Sequence, residues 1–153
     1  MGCSTGGGAV DQSTQTFTAT EPGVYTVTVS HLSFTATTQV KVEHEFSGRY
    51  TGLMDWPKGV FGPWEFTVDA EGGVTGKLRW SGNGVSGDGT FVGSVSKDGS
   101  LSAKGTTRKQ GGKVVRDCTI KGSITQGVAS TAFTGRLALP DGGGLEARAT
   151  RQP

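Results

Sequence analysis

Nowhere does this chain place its apolar residues at the ~3.6-residue period of a helix. It repeats a two-residue alternation of apolar and polar side chains, broken at short intervals by glycine. In "VYTVTVS" (24–30), Tyr25, Val27 and Val29 share one side, while Val24, Thr26, Thr28 and Ser30 share the other. In "LSFTATTQVKVE" (32–43), Leu32, Phe34, Ala36, Val40 and Val42 fall on the inward parity. Further strand-like runs cover 14–20, 46–53, 63–69, 73–80, 89–96, 100–107, 113–125, 128–138 and 144–151. From residue 63 onward the breaks are "DAEGG", "SGNGVSGDG", "SKDGS", "KQGG", "TQG" and "LPDGGG". Period-two runs separated by such turns predict an all-β fold. The expected form is an antiparallel meander that makes a small β-barrel or a two-sheet sandwich.

One phrase occurs twice, as "VDAEGGVTGK" (68–77) and "VSKDGSLSAK" (95–104). Each copy sets an acid ahead of a glycine between two alternating runs. This suits a type I turn followed by a left-handed residue, a conformation open to glycine at little steric cost. Glu71 and Asp98 are therefore expected to shape bends and not to form a catalytic carboxylate pair.

Only 33% of residues are apolar and 27 are glycine, yet the apolar residues are regularly spaced, which argues against disorder. Net charge is +2, too small for the whole molecule to act as a polyanion binder. Residues 1–44 carry one basic and three acidic residues (−2), and 45–153 carry 14 basic and 10 acidic (+4). The densest basic run, Arg108, Lys109, Lys113, Arg116 and Lys121, spans a predicted hairpin. It reads as a solvated sheet edge, and it lacks the aromatics that single-stranded nucleic acid would stack on. No nucleic-acid partner is expected. No run approaches the ~20 apolar residues of a membrane helix. Three regions are expected: a flexible Gly/Ser/Thr-rich tether over 1–13, partial strands over 14–44, and a Gly-rich β module over 45–153.

"TFTATEPGVYTVTVS" followed by "FTATTQVKV" resembles the last three strands of a bacterial immunoglobulin-like or PKD-like sandwich. That resemblance implies that Tyr25 is a corner tyrosine. It also implies missing partner strands, supplied by a longer parent chain, by the following sheet or by pairing with another chain. "GCSTGGG" resembles the mature start of a bacterial lipoprotein, which implies a thioether-linked lipid on Cys3 and a membrane tether. "SGRYTG" (47–52), "GTFVG" (89–93) and "TAFTG" (131–135) resemble modules of bacterial envelope lipoproteins. Together these resemblances imply an extracytoplasmic protein of the cell envelope or cell surface.

Residues that could carry chemistry are few. His31 and His44 have no partners at metal-ligand spacing, and neither a nucleophile elbow nor a phosphate loop occurs. No metal, no cofactor and no enzymatic activity are expected. "GNGVSGDGT" (82–90) offers Asn83 and Asp88 as oxygen ligands in a single copy, and reads as a plain loop. Cys118 shares the parity of Val114, Ile120 and Ile124 and is expected to be a buried thiol. The aromatic residues concentrate in "LMDWPKGVFGPWEF" (53–66). Trp56, Phe61 and Trp64 from this segment, with Trp80, are the candidate ligand-binding residues for a glycan, peptide or hydrophobic ligand. The competing reading has this segment plug one end of the barrel, and Glu65 faces solvent either way. The expected function is a non-catalytic envelope or surface binding module. The alternative is a structural assembly protein, such as a phage or surface-layer component, completed by strand exchange with another chain.

Overall fold

The structure is a computed structural model that describes residues 2–4, 8–11, 13–14, 16–31, 33–56, 60–140 and 143–153. The side chains at 2–4, 31, 55–56 and 60–61 lie outside that description. The described residues form thirteen strands and no helix, and the chain divides into two units, 1–45 and 46–153.

The first unit holds β1 (Gly2–Ser4), β2 (Gly8–Asp11), β3 (Thr16–Ala19), β4 (Gly23–His31) and β5 (Phe34–Val42). β1, β4 and β5 make one antiparallel sheet, and β2 and β3 make another. Two expectations need correcting here. The segment 1–13 carries two paired strands, with Cys3 opposite Val27, where a patternless tether was expected. Phe34, assigned to the inward parity, is 76% exposed, and most of β5 faces water on both sides. On β4 the alternation holds at Tyr25 and Val27, which are buried, while Val29 is exposed. The Tyr25 hydroxyl donates to the Glu21 carbonyl at 2.6 Å, which fixes the bend that leads into β4.

The second unit is a meander of eight strands: β6 (Gly48–Trp56), β7 (Val60–Val68), β8 (Gly73–Gly82), β9 (Val85–Val95), β10 (Ser100–Lys109), β11 (Val115–Gln126), β12 (Thr131–Ala138) and β13 (Gly144–Arg151). Each pairs antiparallel with the next, and β13 pairs back onto β6 from Arg151↔Tyr50 to Glu146↔Asp55. The meander is thus a closed barrel and not a sandwich. Closure removes every edge within this unit, so the basic residues of β10 and β11 protect no edge.

An eight-stranded barrel is just wide enough for side chains to fill. Five rings occupy the middle of this one: Tyr50, Trp64, Phe66, Phe91 and Phe133, each at most 2% exposed. Tyr50 and Phe66 stack with centroids 4.6 Å apart, and Trp64 meets Phe133 edge-on at 5.2 Å. Rings of this size fit because the facing wall is bare glycine. A Cβ on Gly76 would lie 2.2 Å from the Phe91 ring, and one on Gly122 or Gly135 would lie 2.6 or 2.4 Å from the Phe133 ring. The outer wall has the opposite character. Arg49, Lys77, Asp88, Lys104, Lys121 and Glu146 all point outward and are exposed. Apolar inside and charged outside is the reverse of a membrane-spanning barrel.

The repeated phrase forms two equivalent turns. Gly72 and Gly99 have φ of 88° and 84°, and their N–H groups donate to the carbonyls of Asp69 and Ser96. Each glycine carbonyl then accepts from the strand beyond the hairpin: Val95 N–H for Gly72 and Ile124 N–H for Gly99, both at 2.8 Å. The phrase is repeated because the fold needs the same corner twice. Residues 82–90 differ from the expected loop. Asn83 and Gly84 make a two-residue turn at φ 51° and 72°, with Gly82 opposite Val85.

Replacing Gly76 by Val should destabilise the barrel by about 1–3 kcal/mol, because the new side chain displaces the Phe91 ring. Urea denaturation checks this. A change under ~0.5 kcal/mol would show that ring-on-glycine packing does not set the core.

Candidate binding cleft at the open end of the barrel

The turns of an up-and-down barrel alternate between its two ends. At one end lie the tight turns 69–72 and 96–99 together with Phe46, whose carbonyl accepts from the buried Tyr50 hydroxyl at 2.8 Å. At the other end lie the hairpin closing at Trp56↔Val60, the Asn83–Gly84 turn, and the connections 110–114 and 139–143. A cleft of about 770 Å³ opens at this second end. It is lined by Trp80, Val85, Thr107, Lys109, Gly112, Lys113, Val114, Arg116, Leu139 and Gly143.

Strand parity explains why these residues meet. Trp80 continues the inward series Val74, Gly76, Leu78, and Lys109 continues Leu101, Ala103, Gly105, Thr107. Arg116 precedes Cys118, Ile120 and Ile124 on the inward parity of β11. The pairing lines them up in two rows. Trp80 pairs with Gly87 and Gly87 with Lys109; one layer lower, Leu78 pairs with Gly89, Gly89 with Thr107 and Thr107 with Arg116. β9 therefore contributes two glycines where a filled barrel would carry side chains. A Cβ on Gly87 would stand 2.2 Å from the Trp80 ring, so the indole lies across that glycine in the row that continues to Lys109. Below, Leu78, Cys118, Leu137 and Leu145 are 2–3% exposed and close the barrel. The result is a shallow cup with a solid floor.

Of the candidate residues named from sequence whose side chains are described, Trp80 is placed in this cup and Trp64 is not. Trp64 is a correction: it is 2% exposed, and its indole N–H donates to the Arg148 carbonyl at 2.9 Å. Gly52 pairs with both Trp64 and Ala149, so no side chain stands between that indole and β13. Trp64 is thus a core residue and not part of a rim. Trp56 and Phe61 belong to the paired ends of the β6–β7 hairpin, opposite Val60 and Asp55, and their side chains lie outside the described residues. Lys109 and Arg116 are exposed, as a charged run suggests; the parity they share with Ala103 and Cys118 sets them at the mouth of the cup, which the sequence reading did not use.

Cys118 is a buried free thiol, and burial pushes its pKa up, which holds it protonated and unreactive. Among the described residues no three His, Cys, Asp or Glu side chains gather as metal ligands.

No known protein family, no curated protein and no solved structure matches this chain.

On the outer wall, Glu65 sits between Arg49 and Lys77, with the Lys77 ammonium at 2.8 Å. Hydrogen bonds from Lys77 and then Arg49 hold its carboxyl at about 2, below its ordinary 4.5. A carboxyl lowered on folding stabilises the folded state above its unfolded pKa and loses that effect as pH falls. Wild type should accordingly be more stable than Glu65→Gln at pH 7, and the gap should shrink between about pH 4.5 and 2. Paired urea melts across that range check this. A gap independent of pH would refute the assignment.

Proposed function

We propose that this chain is a non-catalytic binding module whose barrel holds a small ligand in the cup at its open end. One observation carries the reading: the inward positions Gly89 and Gly87 of β9 carry no side chain, which leaves a concave space beside Trp80 above the buried Leu78, Cys118, Leu137 and Leu145. A space of about 770 Å³ is of the size that encloses a small organic ligand, and Trp80, Val85, Val114 and Leu139 give it apolar walls. An envelope or surface location and lipidation of Cys3 remain part of this proposal, supported by the "GCSTGGG" start.

The test is a titration with N-phenyl-1-naphthylamine, a neutral apolar fluorophore. Saturable enhancement in the micromolar range is expected. Trp80→Ala should weaken it at least about tenfold, equal to ~1.4 kcal/mol, while thermal unfolding stays cooperative. No saturable binding up to millimolar concentration would reject the reading.

A second reading is favoured by the first unit. Among the described strands β5 pairs only with β4, so one side of Phe34–Val42 has no strand neighbour, and Phe34 is exposed beside it. We propose this side as the place where another chain's strand would add, as in a structural assembly protein. Sedimentation velocity at rising concentration should then show association that Thr37→Pro, which removes a backbone donor, abolishes. A concentration-independent monomer would exclude this reading.

A further inference from the structure

We infer that the ligand of the cup is a free amphipathic anion, a single carboxylate-type head on an aliphatic or aromatic body; this rests on the binding reading above and names its ligand class. Lys109 has inward parity at the barrel mouth, in the cross-strand row that begins with Trp80. Lys113 follows on the connection between β10 and β11, and Arg116 stands one layer lower on β11. Among the described residues that line the cup, three are cations and none is Asp or Glu.

The apolar and charged residues are also segregated. Trp80 and Val85 come from the β8–β9 side and Leu139 and Gly143 from the β12–β13 side; all three cations come from β10, β11 and their connection, where Val114 is the one apolar lining residue among them. Lysines at the mouth, exposed when the cup is empty, cost desolvation when a ligand covers them unless that ligand brings the opposite charge. A neutral ligand would bury them uncompensated. A small highly charged anion would leave the indole and the valines with nothing apolar to cover. An amphiphile with one anionic head satisfies both walls, with its head toward Lys109, Lys113 and Arg116 and its body against Trp80, Val85 and Leu139.

The experiment compares decanoate and decanol, which share a chain and differ in head charge, on the intact protein at neutral pH below their aggregation limits. Each displaces N-phenyl-1-naphthylamine and is also titrated calorimetrically. Decanoate should bind at least about tenfold tighter than decanol, the difference one charge-assisted contact makes, and added salt should narrow the gap. In Lys109→Gln/Lys113→Gln the gap should collapse while decanol affinity is kept. Lys104→Gln/Lys121→Gln, which removes an equal charge from the outer wall, should leave the gap intact. Equal affinity for the two probes overturns this inference and leaves the cup a binding site. Failure of the naphthylamine itself to bind rejects the binding reading instead. Co-sedimentation with phosphatidylglycerol vesicles, lost in the double variant and without decanoate binding, would assign the cations to a membrane surface and likewise overturn the inference.

Discussion

Aromatic rings laid against bare glycine are the contact on which this barrel depends. Eight strands enclose a space too narrow for large side chains on every strand. Phe91 and Phe133 fit because Gly76, Gly122 and Gly135 face them without a Cβ. Each buried ring contributes about 1.5–3 kcal/mol through area removed from water, and ring-to-ring geometry adds about 0.5–1.5 kcal/mol per pair. A low apolar fraction is sufficient because a few large groups fill the space while glycine stays out of it.

The same device explains the cup. Along β9 the inward series ends in Phe91 and Val95 toward the tight-turn end, and in Gly89 and Gly87 toward the open end. Where a ring fills the space that glycine leaves, the barrel is solid. At Gly87 the filling group is Trp80, which stands at the mouth beside water, so the packing stops there and a concavity begins. Core and cleft thus arise from one pattern, read at two heights along one strand.

The all-β class was legible in the sequence because alternation and turn chemistry are local signals. The two turns at Gly72 and Gly99 were legible for the same reason, as was the burial of Cys118. Whether the meander closes was not, since that depends on β13 meeting β6, which no neighbouring residues encode. Trp64 was misplaced because aromatics gathered in 53–66 suggested a binding surface; β7 runs through Gly62 and Pro63, its pairing to β8 lapses only between Phe61 and Trp64, and the indole packs into the core. Phe34 was misplaced because alternation shows that a strand has two faces, but not that anything covers one of them. The lysines of the cup are solvent-exposed, as a charged hairpin suggests, but that reading tied them to a sheet edge, which a closed barrel does not have.

Joining the first and last strands of a meander also has a consequence for how the molecule is made. Seven of the eight ladders link sequence neighbours and can form as soon as both strands exist. The eighth awaits Gly144–Arg151, the last barrel strand to leave the ribosome. Until then the nascent sheet holds two raw borders, at β6 and at whichever strand emerged last, so vectorial synthesis leaves this chain open to misassembly until that strand emerges.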